Sequence, residues 1–282
     1  MLKSDRWAHI KACVQYSGGL MSWGAAKLAV DKYGPENVLL LFADVGVESD
    51  GTYRFILQGA NALGAELKLV RANSGGAYLT PWDICAKYNF LPNWKFPLCS
   101  GELKKKPLKE FIKNYIPEGA DIVIGFNIEE EHRIEKMLKM QKRGQYRKYN
   151  LWFPLADKPY TPVCRIREWL KQYGIEESDL YKVGANHANC NGACFQASKG
   201  HWAWLLKEKP EVFAYYEEKE SHYVEASGGK NTIQRSKDGG PYSLKQLRED
   251  VEAGILKATY SRLPCACGVV WYQEEMRLTD DD

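Results

Sequence analysis

"VQYSGGLMSWGAAKLAV", residues 14–30, passes from an apolar stretch into a helix-like one through Ser17, Gly18, Gly19, Leu20, Met21 and Ser22. Residues 9–16 read as a buried strand, and 21–33 read as a helix closed by Gly34 and Pro35. A strand that ends in Ser-Gly-Gly and enters a helix within a few residues is built to hold phosphate. Its glycines let the backbone approach an anion and take positive φ, the unpaired amides of the helix start point at it, and serine hydroxyls add donors. It is not a Walker loop, because no Gly-Lys-Ser/Thr follows. Ser-Gly-Gly alone also suits an ordinary tight turn, so the rest of the chain has to decide.

Outward from this stretch, "NVLLLFADV" (37–45) is a continuous apolar run of the kind found in central parallel strands, which are covered on both faces. A helix over 51–63 follows, then strands at 65–72 and 120–126. The alternation predicts an α/β fold: an open parallel, Rossmann-like sheet with helices on both faces, spanning residues 1–160. After about residue 155 the pattern changes to helical stretches at 163–173 and 201–220 and a polar, Gly-rich loop or hairpin at 227–243. Residues 161–282 are therefore expected to form a small, mainly helical, cysteine-rich module. Few apolar runs lie between 185 and 272, so something other than a core is expected to pin it.

A chain of 282 residues with 45% hydrophobic and 27% charged residues is ordinary for a soluble globular protein. No apolar run reaches the roughly 18 residues of a membrane span, and "MLKSDRWAHI" lacks a signal peptide's apolar core. The expected location is the cytoplasm, without membrane association. The net charge of +3 is small, but Lys and Arg are concentrated between Lys104 and Lys148. That segment is either a solvated face or a basic rim for an anionic substrate, RNA or DNA.

Eight cysteines in a reducing compartment are expected as thiols, not disulfides. Cys13 and Cys85 lie in apolar stretches and read as small core residues, as does Cys164 on its helix. "HANCNGACFQASKGHW" carries Cys190 and Cys194, and "LPCACGVVW" carries Cys265 and Cys267. Two close pairs about seventy residues apart suggest one four-thiolate site. Such a site suits zinc or a [4Fe-4S] cluster, and the spacing alone also allows no metal. His187 and His201 flank the first pair and read as supporting donors or packing groups.

Five segments carry a resemblance. "SGGLMS" resembles the "SGGxD[ST]" loop of the PP-loop branch of the adenine-nucleotide alpha-hydrolase superfamily, which includes phosphoadenylyl-sulfate (PAPS) reductases, the small subunit of ATP sulfurylase and tRNA thiolases. "FADVGVESDGTYRF" is similar to "DTGxxFxET" and places Asp44 and Gly46 at the next strand end. "CSGELKKKPLKEF" looks like "C[ST]xxLKxxPL" and matches Cys99, Leu103, Lys104, Pro107 and Leu108. "GFNIEEEHR" looks like "GxRxDESxxR" and matches Gly125, Glu130 and, with a shift of one, Arg133. "FPLAD" (153–157) resembles "PLxDW". The cysteine-bearing half looks most like phage and bacterial proteins described as PAPS reductase-like.

The resemblance implies an adenine-nucleotide enzyme, with Ser17, Gly18, Gly19 and Ser22 on the pyrophosphate and Asp44, Gly46 and Gly125 completing the cofactor site. It assigns Lys104 and Arg133 as countercharges, Glu130 or Asp44 to magnesium or ribose, and Cys99 as a thiol near the nucleotide. Relatives with a cluster beside the nucleotide favour [4Fe-4S] over Zn2+ at Cys190, Cys194, Cys265 and Cys267.

The leading expectation is an ATP- and Mg2+-dependent sulfurtransferase that adenylates its substrate and uses the cluster in thiolation. Its acceptor is a nucleic acid or a small molecule, its sulfur comes from a donor protein, and it can act as a homodimer. The alternatives are a reductase of adenylyl sulfate or PAPS, and a nucleotide sensor without turnover. Met21 stands where the family loop carries an acidic residue, which weakens the case for ATP cleavage.

Overall fold

The computed structural model describes residues 5–93, 96–185 and 187–260. Cys265 and Cys267 lie outside the described residues. In chain order, β1 (Ala12–Gln15), α1 (Leu20–Tyr33), β2 (Val38–Ala43), α2 (Asp50–Leu63) and β3 (Glu66–Val70) form the first half of the sheet domain. A short hairpin, β4 (Asn73–Ser74) with β5 (Ala77–Tyr78), leads to α3 (Pro81–Tyr88). A π-helical turn (Ser100–Lys105) runs straight into α4 (Lys106–Tyr115). Then come β6 (Asp121–Val123), α5 (Glu131–Lys142) and β7 (Asn150–Trp152). The last of these was not anticipated, because three residues after a basic stretch carry no strand pattern.

Five of the strands form one parallel sheet in the order β3-β2-β1-β6-β7. All six residues of β2 are buried, as a strand covered on both faces requires. Alternate side chains feed two cores. Val14, Leu40 and Val123 pack with Trp23, Phe55, Ile56 and Ile166 under α1, α2 and α6 (Val163–Gln172). Cys13, Leu39, Leu41 and Ile122 pack with Phe111, Ile112, Ile134 and Met137 under α4 and α5. The chain runs outward from β1 to β3 and then returns to β6, so strand order reverses between β1 and β6. The carboxyl ends of strands at such a reversal are where open α/β sheets bind ligands.

Beyond α6 lie α7 (Asp179–Lys182), α8 (Lys199–Glu208), α9 (Pro210–Ala226), the hairpin β8 (Gln234–Arg235) with β9 (Pro241–Tyr242), and α10 (Leu244–Glu252). The expectation that this region lacks a core is corrected. Trp202, Trp204, Leu205, Phe213, Ile233, Leu244 and Leu247 are buried together, and Cys85 and Leu91 from the α3 region join them. Two short apolar runs, 202–206 and 212–216, supply much of this core from α8 and α9. Cys164 is half-buried on α6, and Cys13, Cys85, Cys99, Cys190 and Cys194 are free thiols. Among the described residues no helix is long and apolar enough to cross a membrane.

Glu220 on α9 holds the hairpin in place. It is buried, and its carboxylate accepts from the amides of Ile233 (2.7 Å) and Leu244 (2.5 Å). Burial raises its pKa to about 7 from 4.5, outweighing those two amides. The folded-state value is raised, so the stabilising effect of its proton is complete below about pH 4.5 and is lost as pH rises through about 7. The loss is at most about 3 kcal/mol. Urea midpoints should therefore fall between pH 5 and pH 8 in the wild type and fall less in Glu220→Gln; equal slopes would exclude Glu220 as the source.

Candidate functional site

The phosphate-type loop is built as an open cradle. Gly19 is the N-cap of α1, and no side chain caps the helix, so its first amides keep their donors free toward the sheet edge. Ser22 is buried and acts as the internal strut: its Oγ donates to the Gly19 carbonyl (2.8 Å) and accepts from the Ser17 amide (3.1 Å) and the Ser17 hydroxyl (3.2 Å). Ser17 itself is exposed. Gly18 has φ +77°, and a Cβ there would meet Ile56 Cδ1 at 2.8 Å. Gly125, just past β6, lies so close to the helix start that a Cβ would fall 2.7 Å from the Met21 carbonyl and 2.8 Å from the Ser22 nitrogen. Met21 turns its side chain against the first core. The loop therefore presents amides and a hydroxyl, but no carboxylate at that position.

At the neighbouring strand end, Asp44 is buried and already enclosed. It accepts from the Gly46 amide (2.8 Å), the Tyr53 hydroxyl (2.7 Å) and Arg71 Nε (2.7 Å). Burial would raise its pKa, but these donors hold it below the ordinary carboxylate range. Glu130 and Arg133 pair with each other, and Arg133 lies over the Phe126 ring at 4.0 Å. A cavity of about 400 Å³ opens beside the β3 exit, lined among others by Arg71, Asp83, Lys87, Glu102 and Lys106.

The centre of the site is Glu48, which sequence reading did not single out. It leaves β2 four residues after Asp44, and its side chain is only 2% exposed. One carboxylate oxygen lies 3.5 Å from Lys104 Nζ, and the other accepts from the Cys190 amide at 2.7 Å. The π-helical turn aims Lys104 inward, whereas Lys105 and Lys106 stay exposed. Burial opposes the charge on Lys104, but Cys190, Glu48 and Cys194 outweigh it and raise its pKa, so the lysine is cationic.

The cysteine loop sits on this pair. Cys190 and Asn191 both take φ +53°, a left-handed conformation uncommon for such residues, which bends the loop back onto Glu48. The neighbouring Cys190 thiol, aided by the Gln196 amide and Lys104, outweighs burial and brings the Cys194 thiol down to about 7. Cys99 packs against the apolar seam that also holds Cys190, and burial pushes its thiol up to about 12. Cys99 and Cys194 both pack against the helical core, and Cys99 and Cys190 both pack against Val45, Ile84 and Leu103, so the three thiols share one region. His187 stacks on His201 with ring centroids 4.2 Å apart, and burial, His201 and Lys104 lower His187 to about 4, keeping it neutral. Tyr181 bridges the two halves: its hydroxyl lies near Gly19, and the Ala188 amide acts on it. Among the described residues no group of three or more His, Cys, Asp or Glu could hold a metal ion.

Fold and site together define an open α/β protein with an uncapped glycine-serine loop at the strand-order reversal and the cysteine loop fastened to the same edge. No protein-family model matches the chain, and no curated protein matches it. Among solved structures, the crystal structure of a phosphoadenylyl-sulfate (PAPS) reductase from Candida auris, in its phosphate complex, is similar over 63% of this chain and 80% of that chain. The sequence identity is 15% and the TM-score is 0.44.

Two substitutions test this construction. Gly125→Ala should displace the start of α1, costing roughly 1–3 kcal/mol of stability and at least about tenfold in nucleotide affinity by calorimetry; unchanged affinity would mean the cradle is not the binding loop. Glu48→Gln keeps an acceptor for the Cys190 amide but leaves Lys104 without its counter-charge. Because Lys104 is one-third exposed, the expected loss is roughly 1–3 kcal/mol in denaturant unfolding, below that of a fully buried pair.

Proposed function

We propose that this protein is an enzyme that binds an adenine nucleotide by its phosphates at residues 17–22 and performs sulfur transfer beside it, using an iron-sulfur cluster held by its cysteines. The observation that carries the reading is the bond from the Cys190 amide to Glu48, because it fastens the cysteine loop to the edge that bears the cradle. The motif resemblance of residues 17–22, 44–46, 99–108 and 125–133 supports the choice of nucleotide. Cys190 and Cys194 would be cluster ligands, Cys99 a third, and Cys265 or Cys267 would complete the set from outside the described residues.

The donor chemistry fits: the sulfurs are soft, they pack in one region, and Lys104 offsets thiolate charge there. Among the described residues no three donors converge on one ion, and the remaining two cysteines of the set, Cys265 and Cys267, lie outside them. When bound, a [4Fe-4S] cluster would supply a place to hold sulfur or pass electrons. The chain's own part is to bind phosphate through Ser17 and the α1 amides, neutralise charge with Lys104, and keep the thiols away from bulk water.

A second reading, reduction of adenylyl sulfate or PAPS, is favoured by one observation. Met21 packs against the core and Asp44 is closed by three donors, so neither offers a free carboxylate to magnesium on a triphosphate. Protein purified without oxygen should contain about four irons per chain, lose them in Cys190→Ala, and release pyrophosphate from ATP in the presence of acceptor. One zinc and no iron would sink the cluster. Tight binding of PAPS with no pyrophosphate release would select the reductase.

A further inference from the structure

Between residues 104 and 148, twelve Lys and Arg stand against seven Asp and Glu, a net +5 in a chain whose total is +3. The rest of the molecule therefore carries about −2, and the positive charge is segregated. The fold puts it on one layer. Leu108, Phe111 and Ile112 of α4 and Ile134 and Met137 of α5 all pack on the same side of the sheet, so the opposite sides of both helices face solvent together. Lys109, Lys113, Lys136, Lys142, Arg143 and Arg147 are exposed there and make no ion pair among the described residues.

Direction matters as much as charge. α5 starts at the carboxyl end of β6, and α4 runs back from the site toward the start of β6, so both begin at the candidate site and lead away from it. Lys104 and Arg133 stand at those two beginnings. The helices are about 15 and 18 Å long at 1.5 Å per residue, so the basic surface is a track and not a spot. A membrane surface is a poorer match, because the apolar sides of both helices are already turned into the sheet.

We infer that the α4–α5 face is a track for the phosphate backbone of a nucleic-acid strand, which makes the sulfur acceptor a nucleic acid. The acceptor role rests on the proposed function; binding to the track does not. Several exposed cations on one layer would each displace counter-ions from a polyanion, giving affinity that falls log-linearly with salt.

The test uses full-length protein and a fluorescent single strand of about 20 nucleotides, as DNA and as RNA, with anisotropy read between roughly 50 and 200 mM salt. Lys136→Ala, Lys142→Ala, Arg143→Ala and Arg147→Ala combined should weaken binding at low salt at least about tenfold and flatten the salt slope. Lys109→Ala with Lys113→Ala should do the same to a smaller degree. ATP affinity, measured in parallel, should not move in either variant. Absence of salt-dependent binding in the wild type, full binding by the fourfold variant, or tighter binding to phosphatidylserine vesicles than to the strand overturns the proposal. Strand binding without any nucleotide affinity leaves the track standing and removes the nucleotide reading.

Discussion

The carboxylate of Glu48 is where three separately encoded segments meet. The exit of β2 supplies it, the turn before α4 brings Lys104 to one oxygen, and the cysteine loop brings the Cys190 amide to the other. A carboxylate this buried is tolerable only when its charge and lone pairs are answered, so each segment stabilises the placement of the other two. The chemistry proposed for the protein depends on that junction. Without it the thiols belong to a helical module, and the cradle belongs to a sheet.

The sheet determines why the junction lies where it does. Parallel strands send all their exits to one edge, and the reversal of order between β1 and β6 opens a gap there that loop backbone fills. Gly125 lets the β6 exit approach the first turn of α1, and Gly18 lets the chain turn beneath it beside Ile56. The cradle's shape thus comes from two missing side chains, while its electrostatics come from uncapped amides. Ser22 ties the loop together from within, which leaves Ser17 as the hydroxyl facing outward.

Much of the α/β plan was legible because burial on both faces leaves a mark in sequence. "VLLLFA" has to be a central strand, and the alternation with amphipathic helices sets the order of layers. The spacing of "SGG" before a helix likewise marked the cradle. The helical core beyond α6 was harder to read, since its apolar runs at 202–206 and 212–216 are only five residues long and the rest of its members, such as Leu91, Ile233 and Leu247, come from distant segments. Strand β7 was missed because an edge strand of three residues has too little length for a period.

The site divides along the same line. Sequence by itself determined which residues carry the chemistry the proposed function calls on: the glycines and serines of 17–22, Lys104, and the cysteines. Glu48 had no local mark, because the neighbours that make it central lie 56 and 142 residues away in Lys104 and Cys190. Met21 and Asp44 were chemically ambiguous until packing turned one into the core and surrounded the other with Tyr53, Arg71 and the Gly46 amide. Side-chain chemistry is local and is written in the chain; which partners remain to answer a charge is decided only when distant segments pack.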